Sequence, residues 1–167
     1  DMYKGFADIS ALSSGVSDLK KVLSNVKTRG ILGEIQLGAI LDEILAPEQF
    51  DTNVATIPNS SAVVEFAVKL PHDDGGFIYL PIDSKFPLDA YNDLLNAYDA
   101  GDSEIINRSS KALVQRIKQF AKDIHTKYVE PPYTTDFAIM FLPTEGLYAE
   151  AVNLGLVEVL QREYKIN

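Results

Sequence analysis

Residues 62–85 read Ala62-Val63-Val64-Glu65-Phe66-Ala67-Val68-Lys69-Leu70-Pro71-His72-Asp73-Asp74-Gly75-Gly76-Phe77-Ile78-Tyr79-Leu80-Pro81-Ile82-Asp83-Ser84-Lys85. The stretch 62–70 is rich in branched and aromatic side chains, the chemistry of a strand. His72 to Gly76 supplies turn residues, and 77–83 reads as the return strand of a hairpin. Pro81 has no N–H to donate, so that side of the return strand is expected to face away from a partner. With the turn centred near Asp74, a symmetric register sets Glu65 opposite Asp83. Lys85 lies two residues beyond Asp83 and shares its face if the strand runs that far.

Upstream, 51–57 reads as a short strand stopped by Pro58. A helix is expected over about 32–46, with Ile35, Leu37, Ile40, Leu41 and Ile44 on a broad apolar face and Pro47 beyond its end. Arg29-Gly30 breaks the pattern before it. Earlier still, Ile9, Leu12, Val16, Leu19, Leu23 and Val26 alternate steps of three and four within a helix over 7–28. That is a heptad seam, either the end of a coiled coil that pairs two chains or a helix packed on its own domain.

Downstream, Pro87 opens a helix through about 99 with Leu88, Tyr91, Leu95 and Tyr98 on one face. A longer helix over about 103–128 buries Ile106, Leu113, Ile117, Phe120 and Ile124. Arg108, Lys111, Lys118 and Lys122 lie largely on its other side. Residues 136–142 read as a buried central strand, and 145–164 as a final helix. This order predicts an α/β fold with a mixed sheet flanked by helices. The division expected is 1–29 as the end of a helical, coiled-coil region and 30–167 as the folded domain.

The 167 residues suit one domain with a real core. Apolar residues make up 46% and charged residues 23%, which is globular rather than disordered chemistry. No apolar run has the length of a membrane span, and no signal peptide opens the chain. With Cys 0 there is no disulfide framework, thiol catalysis or thiolate zinc site. The expected setting is a reducing, cytoplasmic one. Beginning at Asp1, the chain reads as a fragment of something longer. The net charge of −9 argues against indiscriminate nucleic-acid binding. Its distribution is uneven: residues 31–105 carry 2 basic and 14 acidic groups, whereas 106–130 carry 6 basic and 2 acidic.

Directly opposed carboxylates at Glu65 and Asp83 repel unless something neutralises them. Mg²⁺ or Mn²⁺ would do so, taking one or two carboxylates together with water and phosphate oxygens. A lysine beside the acids can orient water or balance transition-state charge. The bland alternative is that Lys85 pairs with Glu65 or Asp83 as a cross-strand ion pair. An acid–any–Lys triplet occurs at Asp18–Lys20, Asp83–Lys85 and Glu163–Lys165, and only the second follows a strand. The two histidines have no zinc spacing, there is no glycine-flanked serine of a hydrolase, and there is no glycine-rich nucleotide loop.

Three blocks resemble the RmuC family. Thr28-Arg29-Gly30-Ile31-Leu32-Gly33-Glu34-Ile35-Gln36-Leu37 resembles its Arg-Gly-x-Trp-Gly-Glu-x-x-Leu opening. Leu80-Pro81-Ile82-Asp83-Ser84-Lys85-Phe86-Pro87-Leu88 resembles its Ile-Asp-x-Lys segment. Asp136-Phe137-Ala138-Ile139-Met140-Phe141-Leu142-Pro143-Thr144-Glu145-Gly146 resembles its Pro-Asp-Phe-x-x-Met-Phe-x-Pro-x-Glu block. The resemblance implies a restriction-endonuclease-like PD-(D/E)xK core and a role in DNA recombination that limits rearrangement at inverted repeats. It implies a metal site of Glu34, Glu65 and Asp83 holding Mg²⁺ or Mn²⁺, with Lys85 assisting catalysis and DNA as partner. It also implies an N-terminal membrane anchor and coiled coil in the full-length protein, hence a homodimer through the N-terminal helix, and a strand and helix after Asn167. Two positions depart from the family: Ala62/Val63-Val64-Glu65 stands for Arg-Pro-Asp, and Ile31-Leu32 replaces the stretch holding its Trp.

Lys111, Lys118 and Lys122 are the candidate contacts to a DNA backbone, against the plainer reading of a solvated helix face. Two alternatives to a nuclease stay open. One is a non-catalytic DNA- or partner-binding scaffold with the nuclease fold. The other is an interaction domain whose acidic middle binds a basic partner.

Overall fold

The computed structural model describes residues 26–167. The heptad seam from Ile9 to Leu23, and with it any pairing of two chains through that helix, lies outside the described residues.

The β2–β3 hairpin organises the sheet. β2 (Val64–Pro71) and β3 (Phe77–Ser84) pair antiparallel with Phe66 opposite Ile82 and Lys69 opposite Tyr79, which is the expected register. β1 (Phe50–Val54) pairs antiparallel with β2, and β4 (Ile139–Phe141) pairs parallel with β3, giving the order β1-β2-β3-β4. A parallel pair needs a long crossover, and α2 (Leu88–Ala100) and α3 (Ser103–Tyr128) supply it. α1 (Val26–Ile44) precedes the sheet, while α4 (Glu145–Asn153) and α5 (Leu156–Tyr164) follow it. The chain is therefore α/β with a four-stranded mixed sheet flanked by helices.

The two sheet faces have separate cores. Leu37 and Leu41 of α1 pack with Phe50, Phe66 and Ile82 on one face. On the other, Leu94, Leu113, Ile117, Ile124, Leu147, Leu156 and Leu160 pack from the remaining helices around Ala138 and Met140. Alternation along the strands assigns each side chain near the hairpin's open end to a face. Phe66, Ile82 and Ser84 face α1, whereas Glu65, Ala67, Pro81 and Asp83 face α3.

Pro81 is accommodated by a break in the ladder. Tyr79 N–H donates to Tyr133 O at 3.2 Å and Lys85 N–H donates to Phe141 O at 3.0 Å, so this edge of β3 looks toward the β4 segment. Tyr79 bridges to Thr134, while Ile82 pairs with Ile139. The 134–139 segment thus carries extra residues opposite Pro81, where no N–H is offered.

Several boundaries differ from the sequence expectation. α1 runs through Arg29-Gly30 without a break. A single helical glycine costs only about 1 kcal/mol, which packing overrides. Its apolar face is narrower than expected: Leu37 and Leu41 are buried, but Ile35, Ile40 and Ile44 are exposed. On α2 the buried residues are Leu94 and Ala97, with Leu95 and Tyr98 exposed. The first strand ends at Val54, with Asn53 at φ 49 close to its end. The strand expected over 136–142 shortens to Ile139–Phe141. It is the last strand in the sheet order, flanked beyond by a short parallel bridge from Ala138 to Ile166. The final helix is two, because Gly155 adopts φ 71 and turns the chain between α4 and α5. Left-handed backbone of this kind favours glycine.

Candidate functional site

The hairpin's open end meets the N-terminal half of α1, the start of α2 and the middle of α3. Extending the register by one pair beyond Phe66 and Ile82 sets Glu65 opposite Asp83. Both side chains turn toward α3, where Leu113, Ile117, Ala121 and Ile124 bury one stripe of the helix against the sheet.

Asp83 is buried, with 3% of its surface exposed. Lys85 Nζ sits 3.1 Å from Asp83 Oδ2, so the ion pair runs along one strand rather than across two. Among the described residues Oδ2 has no hydrogen bond besides that ion pair. Glu65 Oε2 accepts from Ser84 N–H at 3.0 Å. Burial raises the Glu65 carboxyl, and the Asp83 charge and a hydrogen bond with Asp83 raise it further, to about 9. The charge of Glu34 adds a smaller push in the same direction. At neutral pH Glu65 therefore carries a proton. Tyr128, at the C-terminal end of α3, senses the same charges. Burial first, then Asp83 and Glu65, push its phenol up to about 12.

Glu34 reaches this end of the sheet because α1 approaches β3 closely at the residue before it. Gly33 is buried, and a methyl there would overlap Ser84 Oγ and crowd Pro143. Glu34 itself is solvent-exposed on the rim. A cavity of about 380 Å³ opens here, lined by Glu34, Glu65, Ser84, Lys85, Arg116, Phe120 and the first turn of α2.

The chemistry of the donor set fits a divalent cation in part. Two abutting carboxylates, one partly open to a cavity, match the one or two acids that Mg²⁺ uses beside water and phosphate oxygens. A cation there would displace the Glu65 proton and allow both acids to ionise. A three-acid cage is a different matter. Among the described residues no group of three or more Asp, Glu, His or Cys side chains is arranged to hold a metal ion. Glu34 stands on the rim near the pair, and its charge reaches Glu65.

The basic stripe on α3 lies on the side of the helix away from the cavity. Lys111 and Lys122 are exposed, and Lys118 is drawn toward Glu163 of α5 at 4.0 Å. Two residues along a helix turn the direction by about 200°, so Lys118 points away from Arg116 and from the cavity. Among the described residues the cations that line the cavity are Lys85 and Arg116, and both pack on Phe120. The Arg116 guanidinium is 4.8 Å and Lys85 Nζ 5.5 Å from its ring centroid. Sequence reasoning placed Phe120 in the core and passed over Arg116, Ser84 and Tyr128. The signal for Tyr128 was available, since Leu113, Ile117, Phe120, Ile124 and Tyr128 continue one helical stripe.

Comparisons with known proteins agree with this outline. The profile described as "RmuC family" matches residues 2–167. The chain is 47% identical over 167 residues to proteins named "DNA recombination protein RmuC homolog" from Xylella fastidiosa strains Temecula1 and 9a5c. Each alignment covers 98% of this chain and 36% of the relative, so the chain spans about a third of those proteins' length. No solved structure matches at a significant level. Among the described residues no helix is long and apolar enough to cross a membrane.

Proposed function

The chain belongs to the RmuC family, and from that premise we propose that it is a metal-dependent phosphodiester-cleaving domain acting on DNA during recombination. The finer role, limiting rearrangement at inverted repeats, belongs to the same proposal. The observation that carries it is the Glu65–Asp83 pair: a buried Asp83 carboxylate beside Glu65, which lines a cavity and whose carboxyl is pushed to about 9. Folding two acids into contact costs stability unless a ligand uses them. Bound at this pair, Mg²⁺ or Mn²⁺ would polarise a phosphate oxygen and supply an ionised water. Lys85 holds the Asp83 carboxylate in one orientation and places a positive charge beside the reacting phosphate. Glu34 on the rim can accept a hydrogen bond from water entering the cavity. The proposed fold-level relationship to PD-(D/E)xK nucleases rests on the acid–any–Lys element at the end of β3 and the acid across the hairpin.

A DNA cleavage assay with Mn²⁺ tests the reading. Cleavage by the wild type that is lost in chelator and in Asp83→Ala is the expected result. Cleavage that persists in Asp83→Ala would remove the acid pair from the reaction.

A non-catalytic, DNA-binding scaffold is the second reading. It is favoured by the absence of a closed three-donor group among the described residues and by the engagement of Asp83 with Lys85. DNA binding that survives in chelator, with no cleavage under any metal, would select it.

A further inference from the structure

Of the two basic side chains that line the acidic cavity among the described residues, Lys85 is committed to Asp83, at 3.1 Å. Among the described residues Arg116 forms no ion pair, although Glu34, Glu65 and Asp89 line the same cavity. Its guanidinium instead rests on the Phe120 ring at 4.8 Å. A stacked guanidinium keeps its in-plane N–H fork free, and that fork matches two phosphate oxygens. The stacking also restrains the side chain, so less freedom is lost when an anion binds. The neighbouring first turn of α2 has no side-chain cap on its N–H groups, and its Asp89 lines the same cavity.

We propose that Arg116, held on Phe120, is the residue that grips a phosphodiester of the bound DNA strand beside the Glu65–Asp83 pair. The inference rests on the nucleic-acid reading above and deepens it by fixing where the strand crosses the domain. The backbone passes over Arg116 at the cavity, and the Lys111, Lys118 and Lys122 stripe on the opposite side of α3 does not touch it.

The test is binding of a fluorescently labelled oligonucleotide duplex in EDTA across a sodium chloride series. Wild type, Arg116→Gln, Arg116→Lys and the double variant Lys118→Gln/Lys122→Gln are compared, with circular dichroism to check folding. Arg116→Gln is expected to weaken binding about tenfold at low salt, as loss of a charged hydrogen bond does. It should also lower the salt slope by about one. Arg116→Lys should keep the slope and lose part of the affinity, because the charge stays and the fork goes. The double variant should bind like the wild type. Binding equal in wild type and Arg116→Gln, or lost mainly in the double variant, overturns the inference and leaves the nucleic-acid reading standing. A wild type with no salt-sensitive oligonucleotide binding overturns both.

Discussion

Glu65 and Asp83 face one another across the β2–β3 hairpin, and burial together with the Asp83 charge lifts the Glu65 carboxyl to about 9. Lys85 Nζ lies 3.1 Å from Asp83 Oδ2. Glu65 carries a proton in the folded chain at neutral pH, and that proton occupies the place where a cation would be needed. This coupling of protons, metal and stability gives the site its measurable properties.

Metal binding should release a proton. Below about pH 9 Glu65 must deprotonate before it can serve as a ligand. Apparent Mn²⁺ affinity should rise with pH, by up to about tenfold per unit if one proton is displaced. Calorimetry at pH 7 in two buffers of different ionisation enthalpy measures the released proton directly. Heats that are the same in both buffers would show that Glu65 stays protonated or is not a ligand.

Stability without metal should fall as pH rises from about 4.5 toward 9. In that window the folded chain retains the Glu65 proton while the unfolded chain has lost it, so deprotonation favours unfolding. Glu65→Gln removes the titration and should flatten the curve. Glu65 is partly exposed, so solvent screening reduces the effect. A gain of about 1 kcal/mol over the wild type near pH 8 is expected, about 2–4 °C in Tm. Thermal unfolding between pH 5.5 and 8.5 checks this, and parallel curves for the two proteins would contradict it.

Lys85 should matter to stability chiefly through Asp83. Lys85→Met leaves a carboxylate with 3% exposure and no cationic partner, which should cost about 2–3 kcal/mol. Adding Asp83→Asn removes the stranded charge and should recover part of that loss. A double-mutant cycle by urea unfolding reads the coupling. Strict additivity would mean that the ion pair has no energetic role.

Gly33→Ala should be destabilising although alanine is the better helix former. The new methyl would overlap Ser84 Oγ and press on Pro143. Overpacking of this kind costs about 1–3 kcal/mol, more than the gain of about 1 kcal/mol from helix propensity. Combining it with Ser84→Ala removes the overlapping atom and should restore stability. Unfolding midpoints of the three variants decide the matter: a double variant no more stable than Gly33→Ala would place the strain elsewhere.

Much of this arrangement is legible in the chain because it depends on local periodicity. The turn residues from His72 to Gly76 fix the hairpin register, and the register alone brings Glu65 to Asp83. The long amphipathic helix appears over Ser103–Tyr128 as its pattern predicts, with Asp102 capping it. The less legible parts depend on contacts between distant segments. Gly30 inside α1 and Gly155 between α4 and α5 look alike in sequence. One is carried through a packed helix while the other turns the chain at φ 71. Arg116 and Lys118 both read as polar positions of one helix. Only the packing of that helix on the sheet turns Arg116 to the cavity and Lys118 to Glu163. The position of Glu34 comes from the Gly33–Ser84 approach, a contact between distant segments that no local pattern shows.

Mn²⁺ titration calorimetry on the wild type and on Asp83→Ala tests the acid pair most directly. Saturable binding at one or two sites in the wild type that disappears in Asp83→Ala is the predicted result. Equal binding in both proteins, or none in either, would contradict a metal site at Glu65 and Asp83.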